Sequence, residues 1–166
     1  MIARYDLESK VITAQLPIEE SLYRGSTSLY ATDYNYYDLA VDENGLWLVY
    51  AYKTHMSEPA DPNLLIIAKL ESNYLDIEKS WNITVTRENY RNGFIAQGIV
   101  YLLENSSTKS TKISFAYDLY ADTPIEIELP LHSEFKNIRM LSYDFATRDI
   151  LAWDGVNIIS YPILAQ

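Results

Sequence analysis

Few residues in this chain have chemical potential, and they are widely spaced. Asp38, Asn92 and Ser142 hold equivalent places in three similar segments, 54 and 50 residues apart. An acid, an amide and a hydroxyl without a histidine supply no general acid–base couple, and a glycosidase needs two carboxylates flanking the sugar bond. The sequence contains no Gly-x-Ser-x-Gly elbow, phosphate loop or His-Glu-x-x-His helix. His55 and His132 lie far apart in unlike contexts and read as surface residues. Cysteine is absent, which rules out a disulfide framework, a thiolate metal site and a cysteine nucleophile. Taken alone, Asp38 reads as a capping or turn acid, and Asn92-Gly93 as a turn. Asp42-Glu43-Asn44-Gly45 reads as a hairpin turn with solvated acids, since Asn-Gly fits a tight two-residue loop.

The elements that position these residues are strands. Tyrosine is abundant at 15 residues, β-branched residues alternate with polar ones, and turn dipeptides recur at short intervals. Strands are expected at 10–16, 46–52, 64–70, 99–103, 112–119, 125–129, 150–153 and 156–163, an all-β list. The segments 38–50, 92–103 and 140–153 repeat one grammar of strand, tight turn and apolar strand. Each is followed by a further strand, at Ile67-Ala68-Lys69-Leu70, Phe115-Ala116-Tyr117-Asp118-Leu119 and Ile159-Ser160-Tyr161-Pro162. Ala3-Arg4-Tyr5-Asp6-Leu7 is an earlier copy of the same element. A period near fifty residues suits the four-stranded blades of a β-propeller. The first strand of each blade runs beside the central channel, so Asp38, Asn92 and Ser142 are expected to be neighbours in space. Trp47, Trp81 and Trp153 are expected to pack between blades. Three blades are fewer than the four to eight that close a propeller, which predicts an open edge.

A chain of 166 residues, 48% hydrophobic and 22% charged, has the composition of one globular domain. Its net charge of −10, with no run of Lys or Arg, argues against nucleic acid or an anionic membrane surface as a partner. The apolar stretches are far shorter than the roughly 20 residues that span a bilayer. Met1 to Leu7 lacks the apolar core of a secretory signal and reads as the start of a strand. The expectation is a cytosolic protein, or a fragment whose signal lies upstream.

The segment Tyr37-Asp38-Leu39-Ala40-Val41-Asp42-Glu43-Asn44-Gly45-Leu46-Trp47-Leu48-Val49-Tyr50 resembles the signature of the olfactomedin domain. Ala3 to Leu7, Ile67 to Leu70, Trp81, Gly93-Phe94-Ile95, Phe115 to Asp118 and Leu151-Ala152-Trp153-Asp154 follow in family order. The resemblance covers nearly all of residues 1–166. It implies the C-terminal part of a secreted or cell-surface five-bladed propeller, with the N-terminal part of that domain missing. It further implies a module for protein–protein recognition, adhesion and signalling, with extracellular proteins or receptors as partners. Separately, a chain that never closes its propeller exposes strand edges that invite self-association. A propeller enzyme, such as a glycoside hydrolase using a channel carboxylate, is the alternative.

The family often holds calcium in the channel. The resemblance places its ligands on Asp38, the Asn92 amide and the carbonyls of Gly93 and Leu141. The second family aspartate falls on Ser142, and a further acid falls on Tyr36. A site with one carboxylate in place of two or three binds calcium weakly or not at all, because charge count helps set affinity. This departure resembles the olfactomedin-like branch, some of whose members lack the metal. Gln97 stands where many members have a cross-linking cysteine. Asn82-Ile83-Thr84 and Asn105-Ser106-Ser107 are glycan acceptors in a secreted chain. The loops 53–63, with Met56, Pro59 and Pro62, and 105–111 are the expected exposed recognition elements.

Overall fold

The computed structural model describes residues 1–18, 28–32, 35–51, 61–105, 109–135 and 137–163. They form four antiparallel sheets that follow one another in chain order. The first is the hairpin of β1 (Ile2–Asp6) and β2 (Val11–Leu16). The second runs in the order β3 (Tyr37–Asp42), β4 (Gly45–Tyr50), β5 (Leu64–Leu70), β6 (Ile77–Thr84). A 3-10 turn at Arg87–Asn89 leads to the third, which contains β7 (Tyr90–Ala96), β8 (Ile99–Glu104) and β9 (Ser110–Asp118). There β10 (Thr123–Ile125) and β11 (Leu129–His132) both pair with β9. The fourth is the meander of β12 (Ile138–Asp144), β13 (Asp149–Asp154) and β14 (Asn157–Pro162). Three successive sheets of three or more antiparallel strands, after the hairpin, are the blade pattern of a propeller.

The sheets hold together face to face. The second and third sheets bury apolar residues on both faces, so a single covering layer is not enough for them. Leu64–Leu70 shows this plainly, with Leu65, Ile66, Ile67 and Ala68 buried in succession. Ile67 enters a core with Trp47, Val49, Trp81, Ile83, Ile95, Val100 and Leu102, which joins the second sheet to the third. Its neighbour Ile66 points the other way, into a cluster with Leu48, Ala68 and Leu70 that Ile2 and Leu16 of the first hairpin cover. A third core joins Phe94, Leu103 and Ile113 to Leu141, Tyr143, Ile150 and Ala152. A buried side chain of this size contributes about 1.5–3 kcal/mol, so the stack rests mainly on these three apolar seams.

Two expectations need correction. Residues 125–129 do not form one strand; short strands flank 126–128 instead. Both short strands pair with β9, one at 116–118 and the other at 110–113, and each carries a proline, Pro124 or Pro130, whose missing N–H is tolerated in an edge strand. Trp47 and Trp81 do pack between sheets, with ring centroids 5.8 Å apart. Trp153 does not: it is 48% exposed on the outer face of the fourth sheet. Strand β6 was not foreseen, because Glu78, Lys79 and Ser80 break its apolar pattern. As the outermost strand it exposes those residues and buries Trp81 and Ile83 alone.

Candidate functional site

Strands β3, β7 and β12 are the inner strands of the last three sheets, and each contacts the other two. At the end where these strands turn back, acids join the three hairpins. Asp42, expected as a solvated turn acid, is 3% exposed. Its carboxylate accepts the Asn44 N–H at 2.8 Å, the Trp47 indole N–H at 2.7 Å and the Gly98 N–H of the neighbouring sheet at 2.7 Å. Burial is possible because three donors replace the lost water. Glu43 accepts the Tyr143 hydroxyl at 2.7 Å, which ties β12 to the same turn. Burial, followed by that carboxylate, pushes the Tyr143 hydroxyl up to about 12.

Between the inner strands lies a pocket of about 10 Å³, the space of roughly one water molecule. Asp38 and Ser142, two of the three repeat anchors, line it with Gly93 and Leu141, the positions that the resemblance names as carbonyl donors, and the third anchor, Asn92, is absent from the lining. Leu39, Val49, Phe94, Ile95 and Val100 make the rest of the wall largely apolar. Tyr30 lines it too, from a segment with no recognisable pattern in the sequence. Its hydroxyl donates to Asp38 Oδ2 at 3.4 Å. Burial pushes the Asp38 carboxyl up to about 6, against the hydrogen bonds from Tyr30 and the Leu39 backbone. The Tyr30 hydroxyl is in turn held well above its ordinary range by burial and by Asp38.

The donor set does not fit a calcium ion. The pocket has room for one ion, but Asp38 supplies the single carboxylate among its lining residues. Asn92 is buried outside that lining, and its Oδ1 accepts the Gly93 N–H at 2.9 Å. Ser142 brings a neutral hydroxyl, and Tyr36 packs against the apolar core. Calcium takes six to eight oxygens and favours carboxylate charge, and this cluster is short of both.

The acceptor Asn82 is exposed on the outermost strand β6, and Asn105 is exposed at the end of β8. Much of the two expected recognition loops, with His55, Met56 and Pro59, lies outside the described residues. His132 is exposed, with Nε2 3.2 Å from Glu134. Sequence reasoning missed Tyr30, the interblade role of Asp42 and two arginines at the strand-starting end, Arg91 and Arg139. An available signal for the arginines was their placement: each directly follows the apolar or aromatic residue that opens an inner strand.

The whole chain, residues 1–166, matches the family model described as an olfactomedin-like domain. Among curated proteins, myocilin of Bos taurus is 30% identical over 162 residues, covering 98% of this chain and 32% of that protein. Myocilin of Oryctolagus cuniculus is 29% identical with the same coverages, and that of Homo sapiens 26% identical over 98% of this chain and 31% of that protein. The chain thus spans about a third of the length of the curated relatives it matches.

Proposed function

This chain belongs to the olfactomedin-like domain family, and we propose that it is a non-enzymatic, extracellular recognition and adhesion module acting in matrix or cell-surface signalling. The observation that carries this reading is the axial pocket. It holds one carboxylate, no histidine and room for about one water, so it offers neither the acid–base pair nor the space a sugar-cleaving site needs. Residues 1–166 are read as a partial propeller domain, about three blades and a preceding strand pair. Secretion is supported by family membership and by the exposure of Asn82 and Asn105, which are proposed to carry glycans. Extracellular proteins or receptors are the proposed partners, with self-association through exposed sheet faces. The pocket is proposed to lack a resident metal and to take calcium at most weakly.

A labelled form of the protein, expressed through a secretory pathway, tests this reading on intact cells and on deposited matrix. Saturable binding that protease treatment of the surface removes is the expected result. Hydrolysis of an aryl glycoside that disappears in Asp38→Asn would instead establish the enzyme.

A further inference from the structure

At the end where the inner strands begin, opposite the linked hairpin turns, lies a polar cleft of about 760 Å³ lined by Thr32, Asn35, Arg91, Asn137 and Arg139. Two arginines line this cleft in a chain whose net charge is −10. Both arginines are the extra residue of a β-bulge. In β7, Tyr90 pairs with Glu104 and Asn92 with Leu103, so Arg91 is inserted between them. In β12, Ile138 pairs with Asp154 and Met140 with Trp153, so Arg139 is inserted in the same way. A bulge redirects the inserted side chain, and two at matching positions of neighbouring inner strands bring both side chains to one cleft.

The surroundings fix the cleft in place. Asp154 is fully buried and accepts the N–H of Asn137 at 2.8 Å, the N–H of Phe135 at 3.0 Å and the Ser133 hydroxyl at 2.8 Å. Those bonds hold the chain leading into β12, and the Arg91 charge adds its attraction to the same carboxylate. Arg139 is exposed and has no ion pair among the described residues. The Asn35 carbonyl accepts the Leu29 N–H at 2.6 Å, which sets the opposite wall.

We propose that this cleft is a binding site for a single oxyanion, a carboxylate or a phosphate or sulfate ester, presented by the ligand that the module recognises. Guanidinium groups match such anions through paired N–H donors, and the nearby amides add donors of their own. The excess negative charge elsewhere on the chain disfavours a polyanion and leaves one local anionic group as the suitable guest. The inference deepens the recognition reading and rests on it for the ligand's context. The ion site itself can be tested without a partner.

The experiment titrates inorganic phosphate, sulfate and acetate into the whole chain at constant ionic strength, with chloride as reference. Amide and arginine Nε–H resonances report by NMR. Saturable, coincident shifts of Asn35, Asn137, Arg91 and Arg139 are expected, at least five-fold weaker in Arg139→Ala and lost in Arg139→Glu. Arg139→Lys keeps the charge but loses the fork and should fall between. Stronger binding of acetate would identify an acidic side chain or chain terminus as the guest, and stronger phosphate or sulfate a modified group; both support the site. Shifts that track chloride without saturating, or that survive Arg139→Ala unchanged, would overturn it and leave the recognition reading standing.

Discussion

Asp38 places its charge in a pocket walled mostly by hydrocarbon, with hydrogen bonds from the Tyr30 hydroxyl at 3.4 Å and the Leu39 backbone as compensation. Its folded value near 6 lies above the ordinary 3.8, so the folded state holds the proton more tightly than the unfolded chain does. The stabilising effect of that proton is complete below the unfolded value and is lost as pH rises through about 6. Asp38→Asn is therefore expected to match the parent in acid and to be more stable near pH 7.5, by at most about 3 kcal/mol. Urea unfolding of both proteins across that range measures the difference; a variant weaker than the parent at neutral pH would show that the carboxylate has a cation partner. Asp42 presents the opposite case, a buried acid with its charge satisfied. Asp42→Ala strands the Trp47 indole and the Gly98 amide, and a loss of about 3–5 kcal/mol is expected by urea denaturation. Asp42→Asn keeps one accepting oxygen and should lose roughly half as much.

The inner strands depend on two glycines for different reasons. A methyl group on Gly93 would lie 2.9 Å from the Tyr101 carbonyl oxygen, 2.8 Å from a Leu102 methyl and 3.1 Å from the Tyr30 hydroxyl. The carbonyl belongs to paired backbone and cannot withdraw, so Gly93→Ala should push β7 off β8 and displace Tyr30 from Asp38. At Gly98 the methyl would meet the Tyr120 ring, which is half-exposed and, as the far end of a side chain, can yield at the cost of its edge-on packing against Trp47 and Trp81. What remains there is the backbone at φ +76°, a cost of about 1 kcal/mol or more for an L-residue. Adding Tyr120→Ala is accordingly expected to recover part of the stability lost in Gly98→Ala. No second-site truncation of an exposed ring should rescue Gly93→Ala, and thermal unfolding of the four proteins separates the two cases. The same strands show what was legible in the sequence. Tight turns and apolar runs recurring near fifty residues marked β3, β7 and β12 as equivalent; of the three anchors, Asp38 and Ser142 meet at the pocket and Asn92 lies outside its lining. Tyr30 could not be read, because it comes from an irregular segment whose place is set by the Ala31 N–H bonding to the Tyr90 carbonyl. The bulges at Arg91 and Arg139 were equally hidden: a bulge is a property of pairing between strands, and neither strand alone encodes it.

At the scale of the whole molecule, the stack of sheets covers each inner face and leaves two outer faces apolar. On the fourth sheet Met140 pairs with Trp153 and Trp153 with Ile158, in one row across β12, β13 and β14. These side chains are 43%, 48% and 72% exposed. At the other end Tyr5 pairs with Ile12, and both are more than half exposed. Contiguous apolar faces of this kind favour association, and among the described residues the outer edge of β14 pairs with no further strand. The net charge of −10 opposes association at long range, but salt screens that repulsion within about 10 Å at 0.1 M. Raising the salt concentration should consequently strengthen self-association, whereas contacts made by ion pairs would weaken. Sedimentation velocity of the parent and of Trp153→Ser with Ile158→Lys, at low and high salt, distinguishes the cases. The parent should shift towards larger species as salt rises, and the double variant should remain monomeric with its strand signal in circular dichroism unchanged. A parent that stays monomeric throughout would mean that the row of Met140, Trp153 and Ile158 is too small to hold two copies together, and would return that face to solvent.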